Sequence, residues 1–347
     1  MRIRLSKHEK IFIQIIFRDD KPDYKELENL SNLKLVKLAS EHLMLTTLYS
    51  KLNEKNCLNH IDNKLKEYLK NLFEINYARN KQLIKEVNII KKIFNKNKIK
   101  FVFIKGAALI IGNYYKNLGE RMIGDIDILV DSHCYNNSIE LLNSFGYKAQ
   151  KTGALNINNH HPRLISDEKM FAVEIHNELT HSKKPILNKQ KFFIKGKIIP
   201  SLKNIITHTI FNFQINDWGN IKGNYSYRSI YDYFILMNKN LSEGNFSTVD
   251  ISSTSVDNFE TITHHLVGLN YSILKSKKNN ILFKYRFILK KNFVLFYFLD
   301  KIFSKTSIIL YLNLLKVKRI FKNSNYRKYL LHKYTNYIFQ QGNKYTF

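Results

Sequence analysis

Apolar residues return every three or four positions through most of the first hundred residues. Leu35, Leu38, Ala39, Leu43, Leu45 and Leu48 fall at helical spacing. A longer series runs through Leu65, Leu69, Leu72, Ile75, Leu83, Val87, Ile90 and Ile93. Glycine and proline are almost absent here, so residues 6–97 read as helix, with Pro22 and Asp62 marking boundaries.

The pattern changes at Ile99. Ile99–Ile104 is β-branched and aromatic, the composition of a buried strand. Lys105-Gly106 reads as a turn, Ala107–Tyr115 as a helix and Asn117–Gly119 as a loop. Asp125–Val130 is the next strand, followed by a helix near Tyr135–Phe145 that Gly146-Tyr147 ends. His160–Ile165 and Phe171–His176 read as strands joined by a polar turn, Ser166–Lys169. From Pro185 the chain turns helical again, after a basic strand-like piece, Phe192–Ile199. Apolar periodicity marks 203–216, 226–240 and 257–274, with loops at Gly219–Gly223 and Gly244–Val249 and basic helical segments after Lys284. The fold class is α+β. A small mixed-sheet core, residues 98–184, lies between an N-terminal helical region, 1–97, and a mainly helical basic region, 185–347.

Composition narrows the field modestly. The chain has 347 residues and is 44% hydrophobic, enough for one large domain or two to three small ones. Lysine and arginine number 56 against 28 acids, a formal charge of +28. That excess fits a polyanionic partner. It equally fits a genome rich in A and T, since Asn, Lys and Ile abound and Arg is scarce. Cys57 and Cys134 are far apart and lack metal-ligand spacing, which argues against disulfides and zinc and for a reduced, cytoplasmic setting. The apolar run near the N-terminus is short, holds Gln14 and leads into Arg18-Asp19-Asp20 with no small-residue cleavage site, so it reads as a mature helix. Asp300, Lys301 and Lys305 interrupt the apolar stretch 292–315, so no integral membrane segment is expected. An amphipathic surface helix over 285–321 stays open.

The chemistry concentrates in the middle of the chain. Asp125 and Asp127 sit at i and i+2 of a strand and project from one face, while Ile126 and Ile128 take the other. Like charges so placed call for a cation, either a divalent metal or a basic side chain such as Arg121 or a lysine. Lys105-Gly106 follows a strand and opens a helix, a seat for phosphate if the backbone amides point that way, and otherwise only a turn. Ala172-Val-Glu174-Ile-His176 is a further apolar strand, and Glu174 beside the two aspartates makes a three-carboxylate cluster suited to Mg²⁺ or Mn²⁺. Glu174 or Asp127 is the candidate general base. His176, on the same face as Glu174, touches substrate or metal, or is a structural histidine. Arg228 and Asp232 sit at i, i+4, the spacing of an ordinary helical ion pair. His160-His161 point opposite ways on a strand and make a weak metal site.

Together these residues resemble the DNA polymerase beta-type nucleotidyltransferase superfamily, and most closely an uncharacterised bacterial nucleotidyltransferase family. The matching pieces are Ile104-Lys105-Gly106, Arg121, Asp125-Ile-Asp127-Ile-Leu-Val130 and Glu174-Ile-His176. The His208 segment and Arg228-Ser-Ile-Tyr-Asp232 fit as well, over roughly residues 35–240. The superfamily usually carries Gly-Gly or Gly-Ser at the phosphate turn, where this chain has Lys105-Gly106-Ala107.

The resemblance implies a polymerase beta-like core and a metal-dependent, ATP- or other NTP-binding enzyme. It would move a nucleoside monophosphate to a small molecule, protein or RNA. Asp125, Asp127 and Glu174 become the catalytic and metal-binding set, and Lys105, Gly106 and Arg121 the nucleotide-binding one. His176 and Arg228 become candidate substrate contacts. The competing reading is a basic nucleic-acid-binding protein with a vestigial or secondary catalytic site.

Overall fold

Capping side chains set where the first helices begin. Ser6 and Glu9 form a reciprocal capping box at α1, Lys7–Phe17. Asp23 caps α2, Tyr24–Glu28, and α3 and α4 follow at Asn32–Glu41 and Leu45–Glu54. Asp62 then accepts from the amides of Lys64 and Leu65 and starts α5, Asn63–Lys96, a 34-residue helix without Gly or Pro. The expected helical character of 6–97 therefore holds, though in five α-helical pieces. The computed structural model describes residues 3–150, 162–180, 187–243, 253–269 and 281–322.

The α/β core follows as β1, Phe101–Phe103, α6, Lys105–Ile111, β2, Asp125–Val130, and α7, Tyr135–Ser144. Three strands complete it: β3, Lys148–Ala149, β4, Leu164–Ile165, and β5, Ala172–His176. Helices resume with α8, Leu202–Phe211, α9, Gly219–Lys222, α10, Tyr227–Ser242, and α11, Thr254–Val267. The last described helices are α12, Ile281–Asn292, and α13, Val294–Lys322.

Among the described residues the strands form one mixed sheet in the order β1-β2-β5-β4-β3. Only β2 and β5 run parallel. Ile126, Ile128, Val173 and Ile175 cover one face, buried with Leu83, Val87 and Phe94 of α5 and Ile139 and Leu142 of α7. Each such side chain contributes about 1.5–3 kcal/mol on burial. The N-terminal half of α5 sends Leu65 and Leu69 into a second core shared with α1, α4, α8 and α10. The long helix thus spans both cores.

Several expected elements change. Phe192–Ile199 is not a strand: a 3₁₀ turn covers Lys189–Phe192, Phe103 N donates to Ile198 O at 2.8 Å, and Ile198 and Ile199 pack against the core of the sheet. Lys195 and Lys197, with Gly196 between them, suit an exposed edge better than a ladder. Gly219–Gly223 is a short helix rather than a loop, closed by Gly223 in the left-handed region at φ 52°. The predicted strand at His160–Ile165 reduces to Leu164–Ile165, and His160 and His161 lie outside the described residues, as does Gly244–Val249. Among the described residues no helix is long and apolar enough to cross a membrane. The chain divides into two compact units, Met1–Ile288 and Leu289–Phe347. The sheet and every residue of the candidate site belong to the first.

Candidate active site

Strand pairing builds the acidic face. In the parallel β2–β5 register Asp125 lies beside Ala172, Asp127 beside Glu174 and Leu129 beside His176. Side chains alternate, so Asp125, Asp127, Glu174 and His176 share the face opposite the α5–α7 core. The expected convergence of Glu174 with the aspartate strand is met at adjacent strand positions.

A basic side chain is fixed against this face by the backbone. Ile104 N donates to Asp127 O at 3.0 Å, which anchors the end of β1 beside β2. Lys105 then turns the chain into α6 with φ at 51°, a left-handed conformation that strains a non-glycine residue by roughly 1 kcal/mol. The sequence places the freedom of that turn on Gly106, but Gly106 serves closeness instead. A Cβ there would stand 2.7 Å from Arg121 Nη1.

The resulting contacts are short. Lys105 Nζ lies 2.6 Å from Asp127 Oδ1 and 4.0 Å from Glu174 Oε2. His176 Nε2 lies 2.7 Å from the same Asp127 oxygen and 3.7 Å from Glu174 Oε2. Arg163, which sequence reasoning missed, reaches Asp125 and Glu174 at 3.5 Å each. It stands just before a two-residue strand, too short to leave a periodic signal.

Electrostatics divide the acids. Burial alone would raise Asp127, but the charges and hydrogen bonds of Lys105 and His176 outweigh it and hold its carboxyl well below the ordinary range. Burial, then Asp127 and Asp125, push Glu174 up to about 7. Burial and Asp127 also raise Asp125.

Asp127, Glu174 and His176 each offer one donor atom, all within 4.8 Å of one another. Neighbouring ligands of an octahedral ion at about 2.1 Å stand about 3 Å apart, so the group is of the size a divalent cation needs. Asp125 stands outside it, toward Arg163 and solvent. Lys105 holds the position of compensating cation, and a divalent ion held by these donors would share that place. The donor set of carboxylates and imidazole fits Mg²⁺ or Mn²⁺, with the imidazole favouring the latter.

Ion binding has a predicted pH dependence. A metal takes only ionised Glu174, so below pH 7 its entry expels a proton, and affinity rises with pH until Glu174 is ionised. Calorimetric titration with Mn²⁺ at about pH 6 and pH 8 is expected to give roughly tenfold tighter binding at the higher value. Equal affinities would remove Glu174 from the ligand set.

Arg121 is placed differently from its sequence expectation. It neither braces the aspartates nor stands free for phosphate. Its Nε and Nη2 donate to the two carboxylate oxygens of Asp232 at 2.8 Å each. Tyr115 donates its hydroxyl to the same carboxylate. Asp232 is thereby taken from Arg228, its i, i+4 neighbour. The loop carrying Arg121 is clamped by α5: Asn76 Nδ2 donates to Gly119 O and Arg121 O at 2.8 and 3.0 Å. Asn80 Nδ2 donates to Leu118 O and Arg121 O at 2.6 and 2.9 Å. These two buried amides, four residues apart on an otherwise apolar helix face, were the available sequence signal.

A cleft of about 530 Å³, counting space open to solvent, adjoins the acidic face. Lys105, Arg121, His208, Asp217, Arg228 and Asp232 are among the residues that line it. Arg228 is half-buried and has no ion-pair partner among the described residues. Burial, then Lys105 and His176, push the His208 imidazole down to about 3, so it is neutral. Its backbone hydrogen bond goes to Leu179, and Nε2 is buried without a hydrogen-bond partner. Beside the Asp217 carboxylate the cleft presents the cations Lys105 and Arg228 and one unsatisfied acceptor, a setting for an anion that carries a hydrogen-bond donor.

A family model described as "Uncharacterised nucleotidyltransferase" matches residues 30–250. No curated protein and no solved structure matches the chain significantly. The match spans well over half the chain and takes in the whole sheet, its acidic face and the helices that wall the cleft. On that span the chain belongs to the uncharacterised nucleotidyltransferase family and is a transferase.

Proposed function

We propose that the protein moves a nucleoside monophosphate from an NTP to an acceptor hydroxyl or phosphate, at a centre of the polymerase beta type. The observation that carries this reading is the Asp127, Glu174 and His176 group beside a cleft with which it shares Lys105. Asp127 and Glu174, joined by Asp125 from the exposed end of β2, would hold Mg²⁺ or Mn²⁺. A bound ion supplies charge against the phosphates and acidifies the attacking hydroxyl.

The rest falls to side chains. Lys105 neutralises the acids and, lining the cleft as well, would offer its ammonium to the triphosphate when a bound ion supplies the charge they need. Arg228 gives that phosphate a planar pair of donors from the other wall of the cleft. Gly106 lets α6 lie close to Arg121, and Arg121, tied to Asp232, holds the wall in place. His176 holds Asp127 in place through Nε2, the same atom it would offer to an ion. Residues 98–184 carry the chemistry in this reading and residues 1–97 brace it.

The test uses ATP, CTP, GTP and UTP labelled at the α-phosphate, with Mg²⁺ or Mn²⁺ and with tRNA, protein and small-molecule extract as acceptor pools. Metal-dependent capture of α-label by one pool is expected. Acceptor labelling in a parallel run with γ-labelled ATP, and none from the α-labelled NTPs, would make the protein a phosphotransferase and reject the reading. Arg228→Met is expected to raise the KM for the NTP about tenfold with kcat little changed, the loss of a charge-assisted contact of about 1.5 kcal/mol. An unchanged KM would place the phosphates elsewhere.

A further inference from the structure

Helix α13 carries a row of large apolar side chains that water reaches. Leu295, Leu299, Ile302, Ile309, Leu310 and Leu314 are each between 48 and 72% exposed. At 100° per residue they fall within an arc of about 140°, one face of the helix. Asp300 and Ser304, buried, take the opposite side. Lys301 and Lys305 are exposed and stand beside the apolar row. Lys301 Nζ sits 5.9 Å above the Tyr297 ring, an aromatic that is itself 41% exposed.

Charge decides what covers such a face. Residues 289–347 hold 12 lysines and arginines and a single acid, Asp300. That acid is already paired, with Lys290 Nζ at 3.0 Å. A second copy of the same helix would bring two strongly cationic units together, which like-charge repulsion opposes. A nucleic acid answers the charge and leaves the apolar row in water. An anionic lipid surface answers both, since apolar side chains enter the acyl boundary while lysines reach up to the headgroups. No helix among the described residues is apolar enough to go further and cross.

We propose that α13 lies in the interfacial plane of an anionic bilayer, apolar row inward, and holds the transferase at a membrane surface. The full chain is co-sedimented with vesicles of phosphatidylcholine alone and of equimolar phosphatidylcholine and phosphatidylglycerol. Partition onto the anionic vesicles is expected to exceed that onto neutral ones by at least tenfold and to weaken with added salt. The exposed-face double variant Leu299→Glu/Ile302→Glu is expected to lose at least tenfold of that partition with an unchanged circular dichroism spectrum. Lys301→Glu/Lys305→Glu, which leaves the apolar row intact, is expected to lose a smaller but clear share. Equal binding to both vesicle types, binding to neither, or wild-type partition by the Leu299→Glu/Ile302→Glu protein would overturn the proposal. A dimer in light scattering that the same variant dissolves would assign the face to a second copy and overturn it as well.

Discussion

Asp127→Asn is expected to lower nucleotidyl transfer at least a thousandfold, about 4 kcal/mol of transition-state stabilisation. The size follows from how many groups converge on one carboxylate. Asp127 takes Lys105 Nζ at 2.6 Å and His176 Nε2 at 2.7 Å on the same oxygen, and lies beside Glu174 in the strand register. An amide keeps the shape and loses the charge. It cannot bind a divalent ion comparably, and its oxygen, set where Oδ1 stood, meets Lys105 and His176 without the charge that made those contacts strong. Folding should suffer far less, because the Lys105 ammonium still has Glu174 at 4.0 Å. With the Asp127 charge gone, Glu174 loses one cause of its raised pKa and ionises more readily. Steady-state transfer assays on both proteins, beside their unfolding curves, separate the two effects. A variant that keeps a tenth of the wild-type rate would remove Asp127 from the chemistry. Asp125→Asn is the companion measurement. An equal loss brings Asp125 into the ligand set, and a loss of tenfold or less leaves the ion to Asp127, Glu174 and His176.

The acidic face was legible in the sequence because a strand's period is local. Asp125–Val130 is the strand as read, and the side shared by Asp125 and Asp127 follows from alternation alone. Asp62 as the start of α5 was legible for the same reason, since a cap acts within three residues. What the sequence hid is long-range. No spacing tells that β5 runs parallel to β2 with Glu174 level with Asp127, because that register is set by burial of Ile126, Ile128, Val173 and Ile175 together. Asp232 shows the contest openly. Its helical neighbour Arg228 has the right separation, yet Arg121, 111 residues away, presents a two-pronged guanidinium in a buried place and takes the carboxylate. Gly106 misleads for a related reason. A Lys-Gly turn after a strand suggests a phosphate seat, while the missing side chain is required by Arg121 passing beneath it.

That buried pair carries the second large effect. Asp232→Leu is expected to destabilise the protein by about 3–5 kcal/mol, because it leaves the Arg121 guanidinium and the Tyr115 hydroxyl without the acceptor they share. Arg121 is 9% exposed and Asp232 5%. Neither can turn to water, so the stranded charge bears its full desolvation cost. For a unit of this length the loss corresponds to a fall of about 10 °C in Tm. The exposed pair Lys239–Glu243, at 3.3 Å on α10, is the contrast. Breaking it should cost about 0.3–0.5 kcal/mol, since both members remain hydrated. The double variant Arg121→Met/Asp232→Leu distinguishes an uncompensated charge from lost packing. Methionine and leucine keep most of the volume and leave no charge behind, so the double variant should regain most of the stability that the single one loses. Urea unfolding of the three proteins measures this directly. If the double variant is as unstable as Asp232→Leu, the loss comes from the contacts that tie Arg121 to α10 and not from a stranded charge.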